Sequence, residues 1–141
     1  MLKLIGLDVG GTKCAVTAGT TDQNELKILD KRGFATDTGI SSDEFMQQFY
    51  DILDEFIPKY GADVIGISCG GPLDSSTGTI VCPPNLPNLH GVQITKLLSE
   101  RYNIPTYLQN DANACALAEW LYGAGENCNN MAFLTFGTGL G

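Results

Sequence analysis

The sequence is short of positive charge, of histidine and of paired cysteine, and each shortage closes off a class of function. Eight lysines and arginines stand against sixteen aspartates and glutamates, a formal net charge of −8 at pH 7. Such a surface repels a nucleic-acid backbone at long range, so no nucleic-acid partner is expected. A small phosphate ligand remains admissible, because backbone N–H groups and one well-placed cation bind it locally whatever the total charge. The one histidine is His90, and the five cysteines stand singly at Cys14, Cys69, Cys82, Cys115 and Cys128. No C-x-x-C pair offers metal-ligand spacing, and the odd count does not suit a disulfide framework. Reduced thiols in a cytoplasmic protein are the expectation. No apolar run approaches the roughly 20 residues of a membrane span. The opening run Met1 to Asp8 is too short for a signal peptide. The 17 glycines and 6 prolines are scattered, which argues against low-complexity disorder.

What is present is the composition of one globular domain: 141 residues, 43% of them hydrophobic. Apolar runs broken by glycine predict two strands at Leu2 to Leu7 and Cys14 to Gly19, and a third follows at Glu25 to Arg32. Ser41 and Glu44 have capping-box spacing. Behind them Phe45, Phe49, Ile52, Leu53, Phe56 and Ile57 recur at helical intervals, closing over Pro58 to Gly61. The nearly all-apolar Asp63 to Cys69 reads as a strand covered on both faces. A long polar loop, Gly70 to Gly91, precedes a second helix over Ile94 to Tyr102. A strand at Pro105 to Gln109 and a third helix over Asp111 to Tyr122 come next, and Met131 to Phe136 reads as a further strand. The order is α/β, with three antiparallel strands extended by parallel ones.

Four segments carry chemistry. In Asp8-Val-Gly-Gly-Thr-Lys13 the glycines let backbone N–H groups approach an anion, Thr12 adds a hydroxyl and Lys13 a compact charge. Asp8 could hold Mg²⁺ through water, because that ion keeps several of its waters. The competing reading is a plain hairpin with a type I′ or II′ glycine turn. In Leu108-Gln-Asn-Asp-Ala-Asn113, Asp111 sits where a strand hands over to a helix. A carboxylate there can take the proton of an alcohol during phosphoryl transfer, or it can simply cap the helix. Gly137-Thr-Gly-Leu-Gly141 repeats the phosphate logic of the first segment. Asn85, between prolines in Pro83-Pro-Asn-Leu-Pro87, offers an amide that both donates to and accepts from sugar hydroxyls, or belongs to a surface turn. His90 is expected to be a surface or hydrogen-bonded histidine.

The ordered set Asp8-x-Gly-Gly-Thr-Lys13, Gly70-Gly-Pro72, Pro84-Asn-Leu-Pro87, Asn110-Asp-Ala-Asn113 with Glu119, and Gly137-Thr-Gly-Leu-Gly141 resembles the ROK family of sugar kinases. The resemblance implies an actin-like ATPase (ribonuclease H-like) domain: a mixed five-stranded sheet with helices on both faces, and ATP and sugar in a cleft between two domains. By that resemblance Asp111 is the general base, and Asn110 and Asn85 hold sugar hydroxyls with Gly71 beside them. Gly10, Gly11, Thr12 and Lys13 form one phosphate segment, with Asp8 near Mg²⁺. Gly137, Thr138 and Gly139 form the second. Residues 1–128 would be the N-terminal domain and 129–141 the opening of a second, otherwise absent one. The resemblance makes the chain half of an enzyme, inactive alone, in which any structural zinc belongs to the missing half. The full-length protein is expected to be a cytoplasmic homo-oligomer acting on small molecules. A non-kinase ATPase of the same fold and a sugar-sensing regulator are the alternatives.

Overall fold

A computed structural model of the chain describes residues 1–23 and 25–136. Strand β1 (Leu2–Val9) pairs antiparallel with β2 (Lys13–Asp22), which pairs antiparallel with β3 (Glu25–Ala35). Helix α1 (Ser42–Tyr60) leads to β4 (Val64–Cys69), which lies parallel to β1. A two-residue hairpin, β5 (Leu73–Asp74) and β6 (Thr79–Ile80), and a 3₁₀ turn at Pro87–Leu89 follow. Helix α2 (Ile94–Tyr102), strand β7 (Thr106–Asn110), parallel to β4, and helix α3 (Asp111–Tyr122) complete the order. The main sheet is mixed and five-stranded, β3-β2-β1-β4-β7.

The core follows from strand alternation meeting helical periodicity. Ile5, Leu7 and Val9 of β1 point to the same side as Ile65, Ile67 and Cys69 of β4, and all are buried. Onto that side α1 lays Phe45, Phe49 and Phe56, each 0% exposed, and α2 lays Ile94 and Leu98. Phe34 of β3 meets Phe49 edge-on, with ring centroids 5.0 Å apart. Each buried phenylalanine contributes about 1.5–3 kcal/mol of transfer free energy. The capping box forms as spaced: Ser41 Oγ accepts from the Glu44 N–H at 3.2 Å, and Glu44 Oε2 accepts from the Ser41 N–H at 3.0 Å. Pro58 lies inside the last turn of α1 rather than ending it. Proline deletes only its own N–H bond, and Gly61, at φ 76°, closes the helix by donating to the Ile57 carbonyl at 2.9 Å.

Two expectations fail. The stretch from Gly70 to Gly91 is not a featureless loop. Asp74 Oδ1 accepts from the N–H of Ser76 (2.9 Å) and Thr77 (3.3 Å), turning β5 back onto β6. Strands of two residues are too short to print an alternation in the sequence. The strand expected over Met131 to Phe136 does not form as a ladder, and only Phe136 makes an isolated bridge. Leu134 and Phe136 are exposed there. An apolar run becomes a strand where a neighbour supplies backbone partners, and no named strand pairs with this one among the described residues.

Candidate active site

The parallel strands β1, β4 and β7 end level with one another: Val9 pairs with Cys69, and Cys69 with Asn110. The segments that follow them, Gly10-Gly11-Thr12, Gly70-Gly71 and Asp111, therefore emerge side by side. With about 4.8 Å between strands, Gly10 and Asp111 leave the sheet about 10 Å apart. Carboxyl ends of parallel strands are where open α/β sheets hold ligands.

The Gly10-Gly11-Thr12 turn joins β1 to β2, but not as a type I′ or II′ hairpin. Those turns need positive φ, and the positive-φ glycines among the described residues are Gly61, Gly78 and Gly91. Crowding is what demands glycine here. A Cβ on Gly10 would sit 2.5 Å from the Lys13 carbonyl oxygen, and one on Gly11 would sit 2.7 Å from Asn85 Cβ. The turn expected to hold phosphate thus lies directly against the residue expected to hold sugar. Thr36, just beyond β3, braces the turn: its hydroxyl donates to the Gly10 carbonyl at 2.6 Å and its N–H to the Thr12 carbonyl at 3.0 Å. Cys14 Sγ lies 3.4 Å from that hydroxyl. Burial raises the Cys14 thiol, so it remains protonated and fills the space beneath the turn.

A polar cavity opens beside the turn, lined by Gly11, Thr12, Thr38, Pro84, Asn85 and Pro87. Asn85 is exposed into solvent while its neighbours Pro83 and Leu86 are buried, so the loop is anchored on either side of it. The Leu86 N–H donates to the Pro83 carbonyl at 3.1 Å. His90 Nε2 lies 3.0 Å from the same carbonyl oxygen, and His90 is hydrogen-bonded as expected.

At the end of β7 two side chains accept from the start of α3. Asn110 is the N-cap of α3: its Oδ1 accepts from the N–H of Ala112 at 3.0 Å and of Asn113 at 3.3 Å. Asp111 is the first helical residue. Its Oδ1 takes the Ala112 N–H at 2.7 Å, and its Oδ2 is turned toward Gly70, 3.9 Å from where a Cβ on that glycine would be. The Asn110 Nδ2 faces Gly71, 3.3 Å from the corresponding position. The buried Cys69 thiol between these segments is pushed up to about 12, first by desolvation and then by the negative field of Asp111, with Asp8 adding to it. Asp8 and Asp111, both exposed, thus bear on the same strand end from its two sides. Glu119 sits at the far end of α3, where its Oε2 accepts from the Ala124 N–H at 3.0 Å.

Asp8, Gly10, Gly11, Thr12, Lys13, Gly71, Asn85, Asn110 and Asp111 therefore occupy one rim of the sheet. Gly137, Thr138 and Gly139 lie outside the described residues. Sequence reasoning missed Thr36, Thr38 and Asn88. The one signal was pairing register: a strand after β2 that ends with Ala35 opposite Lys13 must return past the glycine turn.

The model of the ROK family matches residues 4–141. The chain belongs to the ROK family. Among curated relatives, the glucokinase of Thermotoga maritima is 34% identical over 140 residues, which cover 99% of this chain and 43% of the relative. The xylose repressor of Bacillus spizizenii is 31% identical, covering 97% and 35%. Among solved structures, a ROK family glucokinase from Streptomyces griseus in complex with glucose and AMPPNP superposes with a TM-score of 0.82 at 27% identity, covering 99% of this chain and 43% of that one. The ROK hexokinase of Thermus thermophilus gives 0.75 at 31% identity, covering 89% and 41%. The fold is the actin-like ATPase fold of ROK sugar kinases. The chain spans less than half the length of these relatives.

Proposed function

We propose that this chain is the N-terminal half of an ATP-dependent sugar kinase acting on a hexose or N-acetylhexosamine hydroxyl, with Asp111 as general base. The supporting observation is the division of labour at the start of α3. Asn110 Oδ1 accepts from the N–H groups of Ala112 and Asn113, Asp111 Oδ1 shares the first of these, and the Asp111 Oδ2 is left to face the rim shared with the glycine turn.

In this reading Asn85, the Asn110 amide nitrogen and the Gly71 backbone hold sugar hydroxyls. The turn N–H groups of Gly10 to Lys13, the Thr12 hydroxyl and the Lys13 ammonium hold ATP phosphates, joined by Gly137, Thr138 and Gly139. The sugar oxygen attacks the γ-phosphorus as its proton passes to Asp111, the β–γ bridging P–O bond breaks, and ADP departs. Catalysis is then positioning and charge neutralisation, with Asp111 accepting one proton. Magnesium fits as an ion that arrives with the nucleotide. Asp8 presents exposed hard oxygen donors at the end of β1, suited to contact through water, and no cluster of three His, Cys, Asp or Glu side chains forms a cage among the described residues. The ion would supply charge neutralisation on the phosphates.

No helix of the described residues is long and apolar enough to cross a membrane, in keeping with a cytoplasmic enzyme. Residues 129–141 are read as the opening of the second domain, so the 141-residue chain alone should turn over little or nothing. In the full-length protein Asp111→Asn, which keeps shape while removing the base, should lower kcat by about 10²–10⁴-fold with nucleotide binding retained. An unchanged kcat removes Asp111 from the mechanism. A full-length protein that binds sugar yet phosphorylates none would instead favour the sugar-sensing role that its repressor relatives suggest.

A further inference from the structure

We propose that Thr36–Ile40 is a strap that registers the phosphate turn against the sugar loop, with Thr36 and Asn88 as positioning residues at its two ends. The activity readouts below rest on the kinase reading; the geometry does not. At one end Thr36 brackets Gly11, donating to the carbonyls on both sides of it, 2.6 Å to Gly10 and 3.0 Å to Thr12. At the other end the Asn88 Nδ2 donates to the carbonyls of Asp37 and Ile40, each at 3.2 Å. The span between is stiffened by Asp37 Oδ1, which accepts from the Gly39 N–H at 2.8 Å. Asn88 sits in the 3₁₀ turn between Leu86 and Leu89, both in the hydrophobic core, so it holds the strap to a fixed point. Asn85 closes the ring, packed so tightly on Gly11 that no Cβ fits between them. Thr38, at the middle of the strap, lines the same cavity as Asn85 and Thr12.

The contacts run in a closed circuit: glycine turn, strap, Asn88, sugar loop, and back to the glycine turn through Asn85. In a closed circuit of short contacts, one arm cannot shift without moving the next. Sugar that fixes Asn85 then also fixes Gly11, and a nucleotide that fixes the turn fixes Asn85. Such coupling is reciprocal. The Asn88 Oδ1 is buried and finds no partner among the described residues, and the amide holds the strap through its N–H donors.

The test uses the full-length protein, with glucose and ATP, and the variants Thr36→Val, Thr36→Ser, Asn88→Ala and the Val–Ala double. KM for each substrate and kcat are read separately, together with amide hydrogen exchange of Gly11 to Lys13 and of Leu86 to Asn88 without ligand. Loss of the Thr36 hydroxyl bond should raise the KM for ATP about fivefold, with Thr36→Ser restoring it. The diagnostic results are the crossed ones. Asn88→Ala should raise the KM for ATP severalfold and speed exchange at Gly11 to Lys13, although it touches neither. Should Asn88→Ala fail to fold, the near-isosteric Thr36→Val reads the circuit in reverse, through the KM for glucose and exchange at Leu86 to Asn88. The strap is overturned if each variant alters only its own ligand and segment, or if the double variant is additive. If crossed exchange effects appear in a protein that phosphorylates no sugar, the kinase reading falls and the strap stands.

Discussion

Glycines at the rim of the sheet and glycines in its middle have opposite reasons to be glycine, and substitution should separate them. Gly10 is hemmed in by the Lys13 carbonyl, which a Cβ would approach to 2.5 Å. Backbone on both sides of that contact is pinned, by β1–β2 pairing and by Thr36, so it cannot give. Gly66, in the middle of β4, would place a Cβ where no atom lies within 4 Å, and its φ is not in the left-handed region. Alanine there removes freedom from the unfolded chain without strain. In urea unfolding of this chain, Gly66→Ala should gain about 0.5–1 kcal/mol. Gly10→Ala should lose at least about 2 kcal/mol through backbone displacement. Equal effects at the two positions would show that crowding is not what selects glycine in the turn.

Helix α1 shows what elements reveal of themselves in sequence. Its start, its three buried phenylalanines and its apolar stripe were legible because cap and periodicity are local. Ser41→Ala removes the hydroxyl that accepts the Glu44 N–H and should cost about 1 kcal/mol. Phe49→Ala opens a cavity where Phe34 and Phe45 converge and should cost about 3–5 kcal/mol. Both are measured by denaturant midpoint at constant m-value, and comparable losses would contradict the view that α1 is held chiefly by its buried face. Boundaries of α2 and α3 were legible for the same reason, whereas the two-residue strands of the β5–β6 hairpin are too short to show a period, and whether Met131 to Phe136 pairs depends on a partner strand rather than on the run itself. At the site the division is similar. Asp8, Gly10, Gly11 and Asp111 could be read because strand ends and glycine turns announce themselves locally. Thr36 and Asn88 could not, because their bonds span 26 residues to Gly10 and 51 to Asp37. Whether Asp111 caps the helix was open for a different reason: Asn110 and Asp111 can both accept those N–H groups, and in the structure they share that of Ala112.

Across the whole molecule, acidity and pairing act on stability with signs that oppose over one pH range and agree over another. At pH 7 the net charge of −8 repels itself. Protonating carboxylates down toward the isoelectric point near 4.3 relieves this repulsion. Against this, several carboxylates join elements and are held below their ordinary values. Asp54 is lowered by the Tyr102 hydroxyl and then by Arg101, linking α1 to α2. Glu55 is lowered by its two-pronged bond to Arg32, and Asp30 by the Tyr60 hydroxyl, both linking α1 to β3. A depressed folded-state pKa gives stability that is fully present above the unfolded value, 3.8 for Asp54, and lost as pH falls through the folded one. The Asp54 and Glu55 pairs are exposed, the Asp30–Tyr60 pair is half-buried, and each is individually weak. Repulsion should therefore dominate from pH 7 to about 4.5, and the stability of the chain should hold level or rise on mild acidification. Below pH 4 both effects point downward, since net positive charge grows while the bridging carboxylates are neutralised. Urea midpoints measured from pH 7 to pH 2.5 should trace that maximum and fall. The gap between the parent chain and Asp54→Asn should close as pH drops, because acid does to the parent what the substitution has already done. A gap as wide at pH 2.5 as at pH 7 would mean that the Asp54 carboxylate contributes nothing through its charge. One molar salt, which screens repulsion, should raise the midpoint at pH 7.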